Sequence, residues 1–243
     1  MRKASLYFAA AVIAVALTGC GKPTPQDAMT KTVAAYKNLQ TLSVKGDSKM
    51  EQSMGAQKNN MSRKVALMYQ KPDKVRESMD VTGGTITLIK NGGKVYANAG
   101  PGGWMVFNGE QGEGAFKQQD ITGVYRLLTE PDPFKGVKDA KLVGDERVGD
   151  VDTWVVEFAI TPPSGVTGKM SQKIWVGKKD WLLRKKVMTA EVTVQGMPSA
   201  IKQTQTDLIE VVAADGKIDA AQFSPPAGAK ITTMSEHMGK DRR

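Results

Sequence analysis

The sequence has 243 residues, 40% hydrophobic and 24% charged, with 34 Lys and Arg against 25 Asp and Glu and a formal net charge of +9. A single cysteine excludes an intramolecular disulfide, and one cysteine with one histidine cannot assemble a zinc site of the usual ligand set. The basic balance favours anionic partners, a headgroup layer or an acidic protein face, and no cofactor is implied.

In chain order, Arg2-Lys3 and the apolar run Leu6–Leu17 come first and read as an export signal. At about 12 residues this run is shorter than the roughly 20 a spanning helix needs, and export argues against nucleic acid as a partner. The next residues, Leu17-Thr18-Gly19-Cys20, put small side chains before a cysteine and resemble the lipobox of bacterial lipoproteins. That resemblance implies a signal peptide over 1–19 and an acylated Cys20 on a tether over 20–24. The protein is then anchored in a membrane, at about 0.8 kcal/mol per buried methylene, without crossing it. Gly21 replaces the Asp that resembles an inner-membrane retention signal, which points to the periplasmic face of the outer membrane in an organism that has one.

Thr24-Pro25-Gln26-Asp27 has the form of a capping box, with proline at the first helical position. Met29, Val33 and Tyr36 then form one apolar stripe ending near Leu39. From Leu42 the period changes to two: Leu42, Val44 and Gly46 alternate with polar residues, as do Val65, Leu67 and Tyr69. Gly83-Gly84, Asn91-Gly92-Gly93 and Gly100-Pro101-Gly102-Gly103 mark hairpin turns around strands over 85–90, 94–98 and 104–107. The first and last of these carry large residues on both faces, so something apolar must lie over each face. A second helix is expected over 120–129 on Ile121, Val124, Tyr125 and Leu128, despite Gly123. Strands follow over 140–148, 152–161, 170–176, 182–194 and 201–212, and a disordered tail over 234–243 is expected from its lack of periodicity.

Motifs for catalysis are sparse. His237 lies in the tail, Ser164 lacks the frame of a nucleophile elbow, and the glycines at 100–103 precede a strand where a phosphate loop precedes a helix. Asp145-Glu146 reads as a turn, and the chain is expected not to be an enzyme. Thirteen methionines, five of them at 50, 54, 61, 68 and 79, suit either a deformable acyl-chain cavity or ordinary core filling. The tryptophans 104, 154, 175 and 181 divide the same way. Lys178, Lys179, Arg184, Lys185 and Lys186 cluster around a tryptophan-bearing hairpin, either a basic surface for anionic headgroups or a solvated tip.

An ordered set of short segments resembles the LolA/LolB-like lipoprotein-carrier superfamily, which includes RseB-like sensors and LppX/LprG-like lipid carriers. The set comprises Ala35-Tyr36-Lys37-Asn38-Leu39, Tyr69-Gln70-Lys71-Pro72-Asp73-Lys74-Val75-Arg76, a glycine-rich hairpin before Val95-Tyr96, and Val151–Val156. Ile174–Lys179 with Leu182-Leu183-Arg184, and Phe223–Lys230, complete it. The resemblance implies an α+β, mostly β domain over 25–233: a strongly curved antiparallel sheet, an open half-barrel of about ten strands, with helices covering its concave side. It also implies an apolar cavity for acyl chains or lipoprotein cargo, with Leu67, Tyr69, Met79, Leu88, Trp104, Trp154, Val156 and Phe158 as candidate lining. The chaperone branch holds its lid with an arginine before a proline. Lys71 stands at that position and lacks the guanidinium's planar set of donors, so it is either a weaker lid contact or an exposed strand-end charge. The functions implied are a carrier or acceptor in lipoprotein or lipid transport, an RseB-like envelope sensor or interaction module, or a structural envelope lipoprotein without ligand.

Overall fold

The side chain of Thr24 accepts from the Asp27 N–H at 3.1 Å, and the Asp27 carboxylate accepts from the Thr24 N–H at 3.2 Å. This reciprocal capping box starts α1 (Pro25–Asn38), which buries Ala28, Met29, Thr32 and Tyr36 along its expected stripe. The computed structural model describes residues 21–98, 100, 103–108, 110–120, 122–197 and 199–233. The leader with Cys20, Pro101-Gly102, Ile121, and the tail over 234–243 with His237 lie outside the described residues.

Six strands follow α1: β1 (Thr41–Met54), β2 (Gln57–Gln70), β3 (Lys74–Val81), β4 (Gly84–Asn91), β5 (Lys94–Asn98) and β6 (Trp104–Asn108). Gly92 and Gly93 take positive φ, 57° and 76°, as the two-residue hairpin between β4 and β5 requires. Two helices come next, α2 (Glu110–Gln119) and α3 (Val124–Thr129). A second meander then runs β7 (Lys138–Val148), β8 (Val151–Ile160), β9 (Val166–Gly177), β10 (Leu183–Val194) and β11 (Ile201–Ala214). After a 3₁₀ turn over Ala220–Phe223, β12 (Ile231–Thr233) ends the described chain.

All the strands form one sheet, in the order β12-β6-β5-β4-β3-β2-β1-β11-β10-β9-β8-β7. β1 pairs with β11 and so joins the two meanders, while β12 and β7 are the edge strands among the described residues. The sheet is an open half-barrel of twelve strands. Register shifts between Ser43 and Val44, between Leu183 and Lys185, and at two places in β7 mark bulges, which bend a sheet. Twelve strands replace the expected ten or so, and the added β12 pairs parallel to β6 through Ile231 opposite Trp104. Three residues are too few to show a period in sequence.

The helices lie on the concave side. Tyr36 of α1, Phe116 of α2 and Val124, Tyr125, Leu127 and Leu128 of α3 pack with Leu42, Val44, Leu67, Val75, Leu88 and Val95 of the sheet. Phe116 and Tyr125 stack with ring centroids 5.0 Å apart. The second helix begins at Val124, later than expected, because Gly123 sits at φ 80° and interrupts the turn. The Asp120 carboxylate reaches across this break and accepts from the N–H groups of Tyr125 and Arg126 at 3.1 and 3.0 Å. Sequence periodicity did not reveal α2, since Gly112 and Gly114 dilute its apolar stripe. Gly112 is needed there: a Cβ would stand 2.5 Å from Val95 Cγ2.

The convex side carries a smaller cluster of Ile89, Trp104 and Phe223, flanked by Met68, Tyr96 and Ile218. The C-terminal segment makes this cover, held by Arg76 Nη1 to the Gln222 carbonyl at 3.1 Å and Asn91 Nδ2 to the Phe223 carbonyl at 3.0 Å. Large residues on both faces of β4 and β6 are thereby accounted for, with helices over one face and the C-terminal segment over the other. Asp145 and Glu146, read as a turn, lie instead within β7.

Candidate functional site

One transverse row of side chains on the concave face runs Arg63, Ser48, Asp207, Lys186, Ile174, Val156, each opposite the next on strands β2, β1, β11, β10, β9 and β8. The row is polar at its β2 end and apolar at its β8 end. Lys186 Nζ lies 3.1 Å from Asp207 Oδ2, and Gln205 Nε2 donates to both Asp207 oxygens at 3.1 Å. Asp207 is fully buried, a position a carboxylate tolerates only with such partners. The neighbouring row, Met61, Met50, Gln205, Met188, Gln172, Phe158, mixes thioethers with amides before an aromatic end.

A cavity of about 610 Å³ stands over these rows, roofed by Gly123, Arg126 and Leu127 and by the loop from Pro133 to Val137. Phe134, Phe158, Ile160, Met170, Ile174 and Leu183 form its apolar side; Arg63, Asp120, Lys186 and Gln205 form its polar side. Phe134 meets Phe158 edge to face, with centroids 6.0 Å apart. The volume and mixed lining match a small-molecule site, for which roughly 300–1,000 Å³ is usual. Another depression, about 680 Å³, lies against the outward side of β1, β2, β3 and β11. Lys45, Asp47, Lys64, Asp80 and Glu210 share its walls with Val65, Val148, Val151 and Leu208, so charges are interspersed with its apolar surface.

The candidate lining residues do not share one place. Leu67, Tyr69, Leu88 and Val156 belong to the filled core between sheet and helices, and of the whole set only Phe158 lines the 610 Å³ cavity. Met79 is buried opposite Val65, where its sulfur accepts from Arg63 Nη1 at 3.6 Å. Trp154 packs half-buried on the main core, with Lys178 Nζ 4.3 Å from its ring centroid. Trp104 is corrected: it belongs to the convex cluster, because strand alternation sends Phe107, not Trp104, to the concave core. Arg63, Phe134, Met170, Ile174, Leu183, Met188 and Gln205 were missed as lining. Alternation in β9 at Met170, Gln172 and Ile174 was the sequence signal for Met170 and Ile174.

Lys71 meets the end of α1. Its ammonium donates to the Lys37 carbonyl at 2.9 Å and its N–H to the Gln40 carbonyl at 2.8 Å. Lys37 Nζ in turn donates to the Leu128 carbonyl of α3 at 3.0 Å. Both lysines thus satisfy carbonyls at helix C-terminal ends, where positive charge is favourable. Burial lowers the Lys37 pKa, opposed by the nearby Glu130 charge. Tyr36 adds a third tie, its hydroxyl accepting from the Leu183 N–H at 3.2 Å.

The five basic residues expected on one surface do not share a face. Lys178 pairs with Asp145, and Arg184, buried, pairs with Asp180. Lys185 lies 3.8 Å from Glu146 and 4.2 Å from the Trp175 ring centroid on the convex side, where Trp175 Nε1 donates to Glu146 at 2.6 Å. Lys186 points inward to Asp207. Lys179 alone of the five is classed as exposed. Strand alternation sends Lys185 and Lys186 to opposite faces, and the bulge after Leu183 sets which of them points inward.

Glu77 is an acid in an otherwise apolar row. It sits between Leu67 and Leu88 on the concave side, 1% exposed, and its Oε2 has no hydrogen-bond partner. Burial, with the Asp120 charge adding, pushes its pKa up to about 9. The Tyr125 hydroxyl is likewise buried without a partner. Among the described residues, no cluster of His, Cys, Asp and Glu is arranged to hold a metal ion, and no helix is long and apolar enough to cross a membrane.

No protein-family model matches the sequence, and no curated protein matches it significantly. Among solved structures, the chain is similar to the Mycobacterium tuberculosis lipoprotein LppX at 10% identity and TM-score 0.47, covering 80% of this chain and 97% of that one. It is similar to LprF from Mycobacterium bovis at 12% identity and TM-score 0.46, covering 84% and 97%. A LolA-superfamily protein from Nitrosomonas europaea aligns at 10% identity and TM-score 0.36, covering 84% and 98%.

Proposed function

We propose that this chain is a lipid-anchored envelope protein, not an enzyme, that binds acyl chains or lipid-modified cargo in its concave cavity, as a carrier or acceptor. The observation that carries this reading is the 610 Å³ space walled by Phe134, Phe158, Ile160, Met170 and Ile174 and left open beside a core the helices otherwise fill. Each methylene moved there from water contributes about 0.8 kcal/mol, and methionine walls adapt to guests of irregular shape. Anchoring through Cys20 and a periplasmic, outer-membrane address complete the proposal and rest on the leader sequence.

Native mass spectrometry of the full chain released from detergent, with titration of a fluorescent fatty acid, tests it. A persistent bound lipid and saturable uptake are expected. Absence of both would remove the cavity function and favour a structural envelope lipoprotein.

A further inference from the structure

The acids beside the cavity are already satisfied. Asp207 is held by Lys186 and Gln205, and Asp120 by two N–H groups of α3. Arg63 differs. It is half-buried at the β2 edge of the cavity, it donates to the Met79 sulfur at 3.6 Å, and no carboxylate pairs with it among the described residues. A guanidinium presents a fork of donors that matches a carboxylate or phosphate, and a thioether is a poor substitute.

Arg63 also lies at one end of a polarity gradient. From β2 to β8 the sheet crosses five strand spacings, roughly 24 Å at about 4.8 Å each. Along that distance the lining passes from Arg63 through Gln205 and Lys186 to Ile174, Phe158 and Ile160. A molecule matching this lining has an oxyanion at one end and a long hydrocarbon chain at the other.

We infer that Arg63 binds the oxyanion head of an acyl amphiphile whose chain lies along the β8–β9 wall, beneath Phe134. This inference rests on the acyl-chain cavity proposed above. It adds the charge class of the ligand, a carboxylate or phosphate head, and its direction in the site.

The test titrates the full chain with three probes of equal chain length: palmitate, palmitoyl-lysophosphatidylglycerol and the uncharged monopalmitoylglycerol. At least one anionic probe should bind about tenfold more tightly than the neutral one, the gain of one charge-assisted contact. Comparing the two anionic probes identifies the head as carboxylate or phosphate. Arg63→Gln should abolish that preference by weakening the anionic probes more than monopalmitoylglycerol, and Arg63→Lys, which keeps the charge, should retain part of it with an unaltered thermal midpoint. Equal affinity for all three probes, or an equal loss for all three in Arg63→Gln, would overturn the role of Arg63 while leaving the cavity standing. If no probe binds, the cavity reading falls as well.

Discussion

Lys71 donates to the carbonyl of Lys37 at 2.9 Å, so a residue at the end of β2 caps the helix that covers the sheet. Because Lys37 also donates to Leu128, α1 is tied both to the sheet and to α3, next to the cavity roof. A single neutral-acceptor bond of this kind contributes roughly 0.5–1.5 kcal/mol.

Lys71→Ala should therefore accelerate lipid release by up to about tenfold, and Lys71→Arg, which offers more donors to the same carbonyls, should slow it. Stopped-flow dissociation of a fluorescent fatty acid measures both. Identical rates in the wild-type protein and the two variants would remove Lys71 from ligand exchange.

Glu77 sets a pH dependence. Its carboxyl has an ordinary value of 4.5 and titrates at about 9 in the folded protein. Above the lower value the unfolded chain loses a proton that the folded protein keeps, so stability falls as pH rises toward the higher one. At neutral pH the loss is about 3 kcal/mol, at roughly 1.4 kcal/mol per pH unit. Glu77→Gln should flatten this slope when unfolding is followed in urea between about pH 5 and about pH 8. A variant whose stability falls with pH as steeply as the wild type would show that another group is responsible.

Leu67 and Met188 separate core from cavity. Leu67 is 1% exposed beneath the helices, so Leu67→Asn should lower the unfolding midpoint with or without lipid, an unsatisfied amide costing roughly 1–3 kcal/mol. Met188 lines the cavity and is half-buried, so Met188→Gln should weaken fatty-acid uptake with little change in midpoint. The reverse pattern would place the binding space under α2 and α3.

Phe134 divides two spaces, since it borders the 610 Å³ cavity and a hollow of about 680 Å³ beside α1. Phe134→Ala should join them and extend the longest fatty acid bound, at a stability cost below the roughly 3–5 kcal/mol of a fully buried Phe→Ala. A chain-length series scored by native mass spectrometry decides it; an unchanged length limit would show that the loop is not the partition.

Cys20→Ala should leave a precursor or soluble form and abolish membrane fractionation. A variant that stays with the membrane through a high-salt wash would mean attachment by another route.

Local chemistry in the sequence foretold much of the fold. Thr24 and Asp27 announced α1, Gly92-Gly93 announced the β4–β5 hairpin, and alternation at Trp154, Val156 and Phe158 gave β8 its inward face. The cavity was less legible because alternation names a face of the sheet, not what stands opposite it. Leu67 and Phe158 have the same pattern, yet helices fill the space over one and leave a space beside the other. Trp104 and Phe107 show the related limit: with large residues on both faces, the sequence cannot say which side the helices take. Arg63 was hidden among surface-like charges, since its inward direction follows from its register opposite Ser48.

The seam between β1 and β11 has a consequence for how the chain assembles. Hairpins within each meander close short loops, but Met54 meets Ile201 and Leu42 meets Ala214 only after almost the whole domain has emerged. Such distant pairing slows folding because loop-closure entropy is lost before the contact forms. Until β11 arrives, β1 presents a fourteen-residue strand with unpaired backbone groups along one side, a template for any other extended chain. A newly made molecule is thus most open to wrong partners at the strand that will end up in the middle of its sheet.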